Sequence, residues 1–353
     1  MKPRKVTLVC NIKNTFVIKD IELLEGMGHK VFLIYSPAFK DPFRFFWNRI
    51  REFFLSVLYL PQSDAVFSWF NDYHAVIPLW FAKQLGLNAT IIVGGYDAVS
   101  SPELKYGIFL KKNLRGHFAQ KNYKQAGAIW VVHKSLADGC PNAEKNSEIR
   151  SGIRAFIPDL KTPISEVPTA YDPLFWKPVE KKTPKTVLTV ANIADERTFR
   201  RKGIPLFLKL AESLPSFQFT IAGIDSRLLH KKELPKNVLC LGKQTRETLR
   251  QLFSQNTYYF QGSKIEGLPN VLCEAMLCEC IPLGNRVFGI PDAIGDTGFV
   301  FETAEGIDHI EAFLKKEPEE LGTKARQRIK KLYPLERRRA FFNETLNQHG
   351  KDE

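Results

Sequence analysis

No stretch of the chain approaches the roughly 20 apolar residues that a spanning helix needs. At its start, MKPRKVTLVCNIKN, the apolar core runs only from Val6 to Cys10, too short for the centre of a signal peptide. Neither an anchor nor a leader is expected. The expected location is the cytoplasm, with peripheral attachment to the inner face of the cytoplasmic membrane left open. The six cysteines, at 10, 140, 240, 273, 278 and 280, form no C-x-x-C pair and have no histidine at zinc spacing. That excludes a disulfide framework and a zinc site, and fits a reducing compartment. No D-x-D pair ends a strand to hold a divalent cation, and there is no internal repeat or low-complexity tract. Motifs of known nucleic-acid modules are also missing.

What is present is a chain of 353 residues, 44% hydrophobic and 25% charged, the composition of a globular protein long enough for two domains. A formal net charge of +13 calls for an acidic partner, whether phosphorylated substrate, anionic lipid or nucleic acid. The charge is concentrated. Between 105 and 124 lie Lys105, Lys111, Lys112, Arg115, Lys121 and Lys124 with no acid, among Tyr106, Ile108, Phe109, Leu110 and Leu114. Residues 37–61 place Phe45, Phe46, Trp47, Ile50, Phe53, Phe54, Val57 and Leu58 at helical spacing, with Arg44, Arg49 and Arg51 around them. Two readings fit such a helix: it packs its apolar face on its own sheet, or it dips aromatics into a lipid interface while arginines meet phosphates. On the second reading Trp47, Arg49, Lys111, Lys112 and Arg115 form a membrane-facing set.

KVTLVC (5–10) reads as a first parallel strand, Asp20–Gly28 as a helix and VFLIYS as a second strand, the opening of a doubly wound α/β domain. Prolines 163, 168, 173, 178 and 184 then break the pattern, placing a boundary near 178–184. The most informative stretch is 257–284, TYYFQGSKIEGLPNVLCEAMLCECIPLG. Tyr258–Gln261 reads as a buried strand that Gly262-Ser263 stops, and Pro269 suits the first turn of a helix on which Val271, Leu272, Ala275 and Met276 recur. Glu266 and Glu274 bracket the helix start with seven residues between them. The amides of Leu268 to Val271 would point out of its amino end, where the macrodipole favours a phosphate. A phosphate cradle with a carboxylate on either side suits a nucleotide-sugar. The residues alone leave open that both glutamates are ordinary helix-cap acids.

The run EGLPNVLCEAMLCECIPLG resembles the E-x7-E segment of the retaining glycosyltransferases of family 4. The resemblance implies that Glu266 touches the donor sugar, Glu274 holds the ribose, and the backbone of Gly267, Leu268, Asn270 and Val271 binds the diphosphate. One departure is Glu279, where the family usually has glycine. After the strand Thr186–Ala191, NIADERTFRRKG resembles the family's basic segment, in which a strand-end Arg and a Lys before Gly grip the diphosphate. Lys202-Gly203 matches, Asn192 stands in for the Arg, and Arg201 or Arg197 in the apparently longer loop are substitutes. A fixed cation there would stabilise the leaving diphosphate more in the transition state than before it; a solvated basic loop is the alternative. Gly242 and Lys243 fall where the base would stack. In the first half Gly94-Gly95-Tyr96-Asp97 occupies the place of a family histidine, which casts Asp97 as catalytic and Gly95, Tyr96 and His74 as acceptor contacts. A turn role for Asp97 and an incidental loop position for His74 stay open.

The resemblance further implies an α/β fold of the GT-B kind, two doubly wound Rossmann-like domains facing across a cleft. Residues 1–180 would bind acceptor, 181–335 would bind donor, and a C-terminal helix, 336–353, would cross back to the first domain. The implied function is retaining transfer of a sugar from a UDP- or GDP-sugar to a glycan or lipid-linked acceptor, with no metal and no cofactor. The partners are a nucleotide-sugar, that acceptor and an anionic membrane surface, with no nucleic acid. The alternative is a basic nucleotide-sugar- or nucleic-acid-binding protein without transferase activity.

Overall fold

The computed structural model describes residues 2–146, 148–229, 233–302, 306–316, 318 and 320–347. Its chain forms two compact units: unit 1 takes the residues up to Gly139, Ile149–Thr169 and the chain from Glu336 onward, and unit 2 takes Cys140–Glu148 and Ala170–Leu335. The change of unit at 169/170 comes ahead of the boundary expected near 178–184, because Tyr171 already bonds Tyr333 and Arg326 caps the carbonyls of Pro173 and Trp176, all in unit 2.

In chain order the first elements are β1 (Lys5–Cys10), α1 (Thr15–Gly26), β2 (Lys30–Tyr35), α2 (Pro42–Tyr59), β3 (Ala65–Trp69), α3 (Tyr73–Gln84), β4 (Asn88–Val93) and β5 (Val99–Ser100). There follow α4 (Leu114–Gln125), β6 (Ala128–Val131), α5 (Ser135–Asp138), α6 (Pro141–Asn146), β7 (Arg150–Ser151), α7 (Ile153–Phe156) and β8 (Ile164–Glu166). Unit 1 is built on a parallel sheet of order β2-β1-β3-β4-β6-β8. Its central strands are apolar on both faces, as parallel strands covered on both sides must be: Val6, Leu8, Val9, Phe67, Ile91 and Ile92 are fully buried. The order reverses between β1 and β3, so the crevice for a ligand lies beyond their carboxyl ends.

Unit 2 continues with β9 (Thr183–Ile193), α8 (Glu196–Arg201), α9 (Ile204–Ser213), β10 (Gln218–Ile224), β11 (Val238–Leu241), α10 (Arg246–Gln255) and β12 (Asn256–Gln261). It closes with α11 (Asn270–Leu277), β13 (Ile281–Asn285), α12 (Ile290–Ile294), β14 (Phe299–Phe301), α13 (Gly306–Leu314) and α14 (Leu321–Leu332), before α15 (Leu335–Asn347). Its parallel sheet runs β11-β10-β9-β12-β13-β14 over a core that includes Phe207, Phe219, Phe260 and Leu283. Here the switch point lies between β9 and β12, directing attention to the loops that follow those two strands.

α1 starts at Thr15, five residues ahead of the expected start, because Asn14 is extended and its carbonyl takes the amides of Val17 and Ile18. Asp20 therefore sits on the inner face of α1, where it accepts from Trp69 Nε1 at 2.8 Å and pairs with Arg338 of α15 at 2.6 Å. Arg338 is 1% exposed, donates to the carbonyls of Val167 and Pro168, and lies against the rings of Trp69, Trp130 and Phe342. Through this residue α15 is fixed into unit 1.

α2 inverts the usual arrangement. Asp41 caps it by accepting from Arg44 N, and Pro42 supplies a first residue with no amide to satisfy. The residues it buries are polar: Asn48, Glu52 and Ser56. Its apolar residues face outward, with Phe43 69%, Phe54 65% and Phe46 61% exposed beside Trp47, Phe53, Val57 and Leu58. Only the edge of its aromatic face packs within unit 1, where Phe45 meets Tyr73 and Phe53 meets Phe81 of α3. The reason for the inversion is a buried polar cluster: Asn48 Nδ2 and Arg49 Nη2 both donate to Ser36 Oγ at 2.8 Å, and Glu52 takes hydrogen bonds from Ser36 and Arg49. Among the described residues no helix is long and apolar enough to cross a membrane.

Candidate functional site

At the switch point of unit 2 the loop after β9 and the loop after β12 touch. Gly203 has φ +74°, and a Cβ there would stand 2.1 Å from the Gly262 carbonyl, so only glycine allows this approach. The Lys264 amide donates to Arg201 O at 2.8 Å and locks the two loops together. The basic stretch expected as a loop is the helix α8, because Asp195 accepts from Thr198 N at 2.7 Å and starts a turn. Arg197 and Arg200 are spent on Asp195 and Glu196.

The consequence is that Lys202 Nζ reaches Glu266 Oε2 at 2.5 Å, with both side chains less than one-fifth exposed. Ser263 Oγ donates to the same oxygen at 3.2 Å, Gln261 Nε2 donates to Ser263 at 2.8 Å, and Tyr259 OH lies 3.3 Å from Gln261. Burial pushes the Glu266 carboxyl up, but Lys202, then Arg201, and the bonds from Lys202 and Ser263 outweigh it and hold it below its ordinary range. Lys202 is lowered, by burial first, against the pull of Glu266 and with the charge of Arg201 adding to it. An acid held ionised is a fixed acceptor for hydroxyls, and its partner ammonium is a fixed cation. The polar file Tyr259, Gln261, Ser263 escaped the sequence reading. Its period-two spacing along a strand otherwise apolar was the available signal.

α11 begins at Asn270, with extended Pro269 at the cap position and no side chain capping it. Its first ladder bond runs from Cys273 N to Pro269 O at 3.3 Å, so the preceding amides lack intrahelical acceptors. Asn270 Oδ1 is buried without a partner among the described residues, a polar atom awaiting a hydrogen bond. Gly267 is fixed by the Gly289 amide at 3.0 Å, Leu268 is buried and Val271 half-buried. Glu274, on the second turn, is 4% exposed. Glu279 ends the helix with φ +64°, the left-handed conformation that glycine would take without strain. The change at that position is therefore confined to the cap. Of the other donor-side residues, Arg201 is half-buried beside the ion pair, whereas Asn192, Gly242 and Lys243 lie exposed at the ends of β9 and β11.

Unit 1 corrects several expectations. Asp97 is fully buried and accepts from the amides of Asn71, Gly94 and Gly95; burial raises its carboxyl to about 6. It holds the Gly94-Gly95 turn, where Gly95 has φ +146°, and is enclosed rather than presented to a substrate. Arg115 forms a two-pronged pair with Asp72 and covers the ring of half-buried Tyr96, and Arg49 points inward to Glu52, so neither arginine belongs to a lipid-facing set. Their partners are distant or interior, which the local pattern does not reveal. Trp47, Lys111 and Lys112 are exposed. His74 lies in the first turn of α3, 2% exposed, with Nε2 2.9 Å from Trp69 O; burial holds it neutral with a pKa of about 4. Among the described residues no group of three His, Cys, Asp or Glu could hold a metal ion.

Residues 171–331 match the model of the family described as glycosyl transferases group 1. Over 262 residues the chain is 24% identical to a component of the phosphatidylinositol N-acetylglucosaminyltransferase of Arabidopsis thaliana, an alignment taking in 68% of this chain and 53% of that one. The chain thus spans about half the length of that curated relative. Among solved structures, a sucrose-phosphate synthase from Thermosynechococcus elongatus superposes with a TM-score of 0.70 at 14% identity, covering 98% of both chains. A glycosyltransferase from Rickettsia africae gives 0.69 at 13% with both chains fully covered, and Anabaena HepE, solved with UDP and glucose, gives 0.68 at 12%, covering 98% of this chain and 99% of that one. Two six-stranded parallel sheets and these likenesses give the chain the GT-B fold, with residues 171–331 matching the glycosyl transferases group 1.

Proposed function

We propose that the protein transfers a sugar from a UDP- or GDP-sugar to a lipid-linked or glycan acceptor during glycoconjugate assembly, with retention of configuration and without a divalent metal. The observation that carries this reading is the Lys202–Glu266 pair placed beside the uncapped amino end of α11 at the switch point of unit 2. The amides of Leu268, Asn270 and Val271 would receive the diphosphate, Glu274 the ribose and Glu266 the sugar hydroxyls, with Lys202 and Arg201 supplying positive charge. As the glycosidic bond breaks, the leaving diphosphate gains charge, and cations and amides already in place meet it without reorganising. That cluster would do the neutralising that a metal does elsewhere, and the acceptor hydroxyl would attack from the face the diphosphate leaves. The outward aromatic face of α2, more than single scattered apolar residues, supports a lipid surface as the place of work. The UDP complex of HepE and the N-acetylglucosaminyltransferase named among the relatives favour a UDP-sugar.

The test is a nucleotide-release screen across UDP- and GDP-sugars with lipid extract as acceptor, followed by NMR of the anomeric proton of the product. Release from one donor that depends on lipid, persists in EDTA and gives the donor's own anomeric configuration is expected. Inverted product would end the retaining mechanism, and silence with every donor would end the transferase reading.

A further inference from the structure

Beyond the carboxyl ends of β1 and β3, at the switch point of unit 1, lies a pocket of about 460 Å³, a volume typical of a small-ligand site, with an apolar wall and several polar side chains. Asn11 follows β1, Ser36 and Lys40 follow β2, Phe45 and Arg49 come from α2, and Asp72 and His74 from the start of α3. Three of these side chains carry polar atoms that are buried with no partner among the described residues: Arg49 through Nε and Nη1, His74 through Nδ1, and Asn11 through Oδ1. A guanidinium with two unanswered nitrogens is costly to bury, and the cost is removed by an oxyanion, whose geometry it matches.

The charge balance selects the same ligand. Arg49, Lys40 and Arg115 face Asp72 in the pocket, with Glu52 behind Arg49. Asp72 is committed to Arg115 and to the Tyr73 amide. Burial raises Glu52 to about 7 against the opposing pull of Arg49, so its charge is only partly present near neutral pH. His74 is neutral. Arg49 and Lys40 are left to attract an anion, and the amino end of α3 adds a favourable dipole. We propose that this pocket binds a phosphate group carried by the acceptor. The inference rests on the reading that unit 1 handles the acceptor, and it deepens that reading by naming the acceptor's class: a phosphate ester whose phosphate lies against Arg49 at the root of α2.

The test reads the pocket itself, by NMR of the His74 ring in histidine-labelled full-length protein. Inorganic phosphate and pyrophosphate form one arm, with UDP present in excess to occupy unit 2. Phosphatidylcholine vesicles with and without phosphatidic acid form the other. A saturable shift of His74 is expected, weakened tenfold or more in Arg49→Gln and in the charge-balanced Arg49→Gln/Glu52→Gln protein, and weakened less in Lys40→Gln. UDP affinity should be the same in all of these proteins, which separates this site from the donor site. A response to the soluble ions but not to phosphatidic acid would make the source a free phosphate ester and leave the pocket's chemistry intact. No response of His74 in either arm, or one unchanged in the doubly substituted protein, would overturn the proposal.

Discussion

Lys202→Ala is expected to lower turnover at saturating donor by about 10²- to 10³-fold while the protein stays folded. The size follows from the proposed role of the ammonium: it is fixed at 2.5 Å from Glu266, at the loop junction that Gly203 makes possible, and on that reading its charge would count most when the leaving diphosphate forms. A salt bridge with a structural role alone would show the opposite pattern, a loss of stability with unchanged turnover of the folded fraction. The pH profile gives a second check. In the native protein Lys202 is the largest of the influences that hold Glu266 below its ordinary range against burial, so its carboxylate persists through mildly acid pH. Without Lys202, burial raises that pKa, and the residual activity should fall as pH decreases through the weakly acid range where the native enzyme is flat. Stopped assays across pH on both proteins decide it.

The largest stability change is expected from Arg338→Met. Asp20 and Arg338 are both nearly inaccessible, and removal of the guanidinium leaves a buried carboxylate without its cation and the Val167 and Pro168 carbonyls without their donor. Breaking a buried pair in this way costs about 3–5 kcal/mol. Because α15 is anchored into unit 1 by this residue, the loss should appear in the denaturant transition of unit 1, with that of unit 2 unmoved. Asp20→Asn combined with Arg338→Met should recover part of the loss, since the stranded charge is then gone. A shift below about 1 kcal/mol in the single variant would show that the pair is dispensable.

These two predictions mark where the sequence was informative and where it was not. The grouping of the candidate site was legible because its placement is local: Glu266, Asn270 and Glu274 are placed by one strand, one turn and one helix start, and Lys202-Gly203 by another. Elements followed suit, since apolar strands covered on both faces and helices between them announce a parallel sheet. What stayed hidden depends on distant partners. Arg338 meets Asp20 across 318 positions, and Arg115 meets Asp72 across 43, so a basic residue read as free for lipid is in fact bound. Asp97 looked like a presented carboxylate because nothing in GGYDA discloses the three amides that close over it. α2 admitted two readings for a different reason. Its amphipathic pattern was plain, but pattern does not say which face turns inward, and here the Ser36, Asn48, Arg49 and Glu52 cluster claimed the interior.

The most direct test of the account is a crystal structure with UDP and, in parallel, with GDP bound. The diphosphate should lie within hydrogen-bonding distance of the amides between Leu268 and Val271, with Lys202 beside it and the ribose hydroxyls on Glu274. A nucleotide bound with its diphosphate away from the start of α11, or with Glu274 not contacting the ribose, would contradict it.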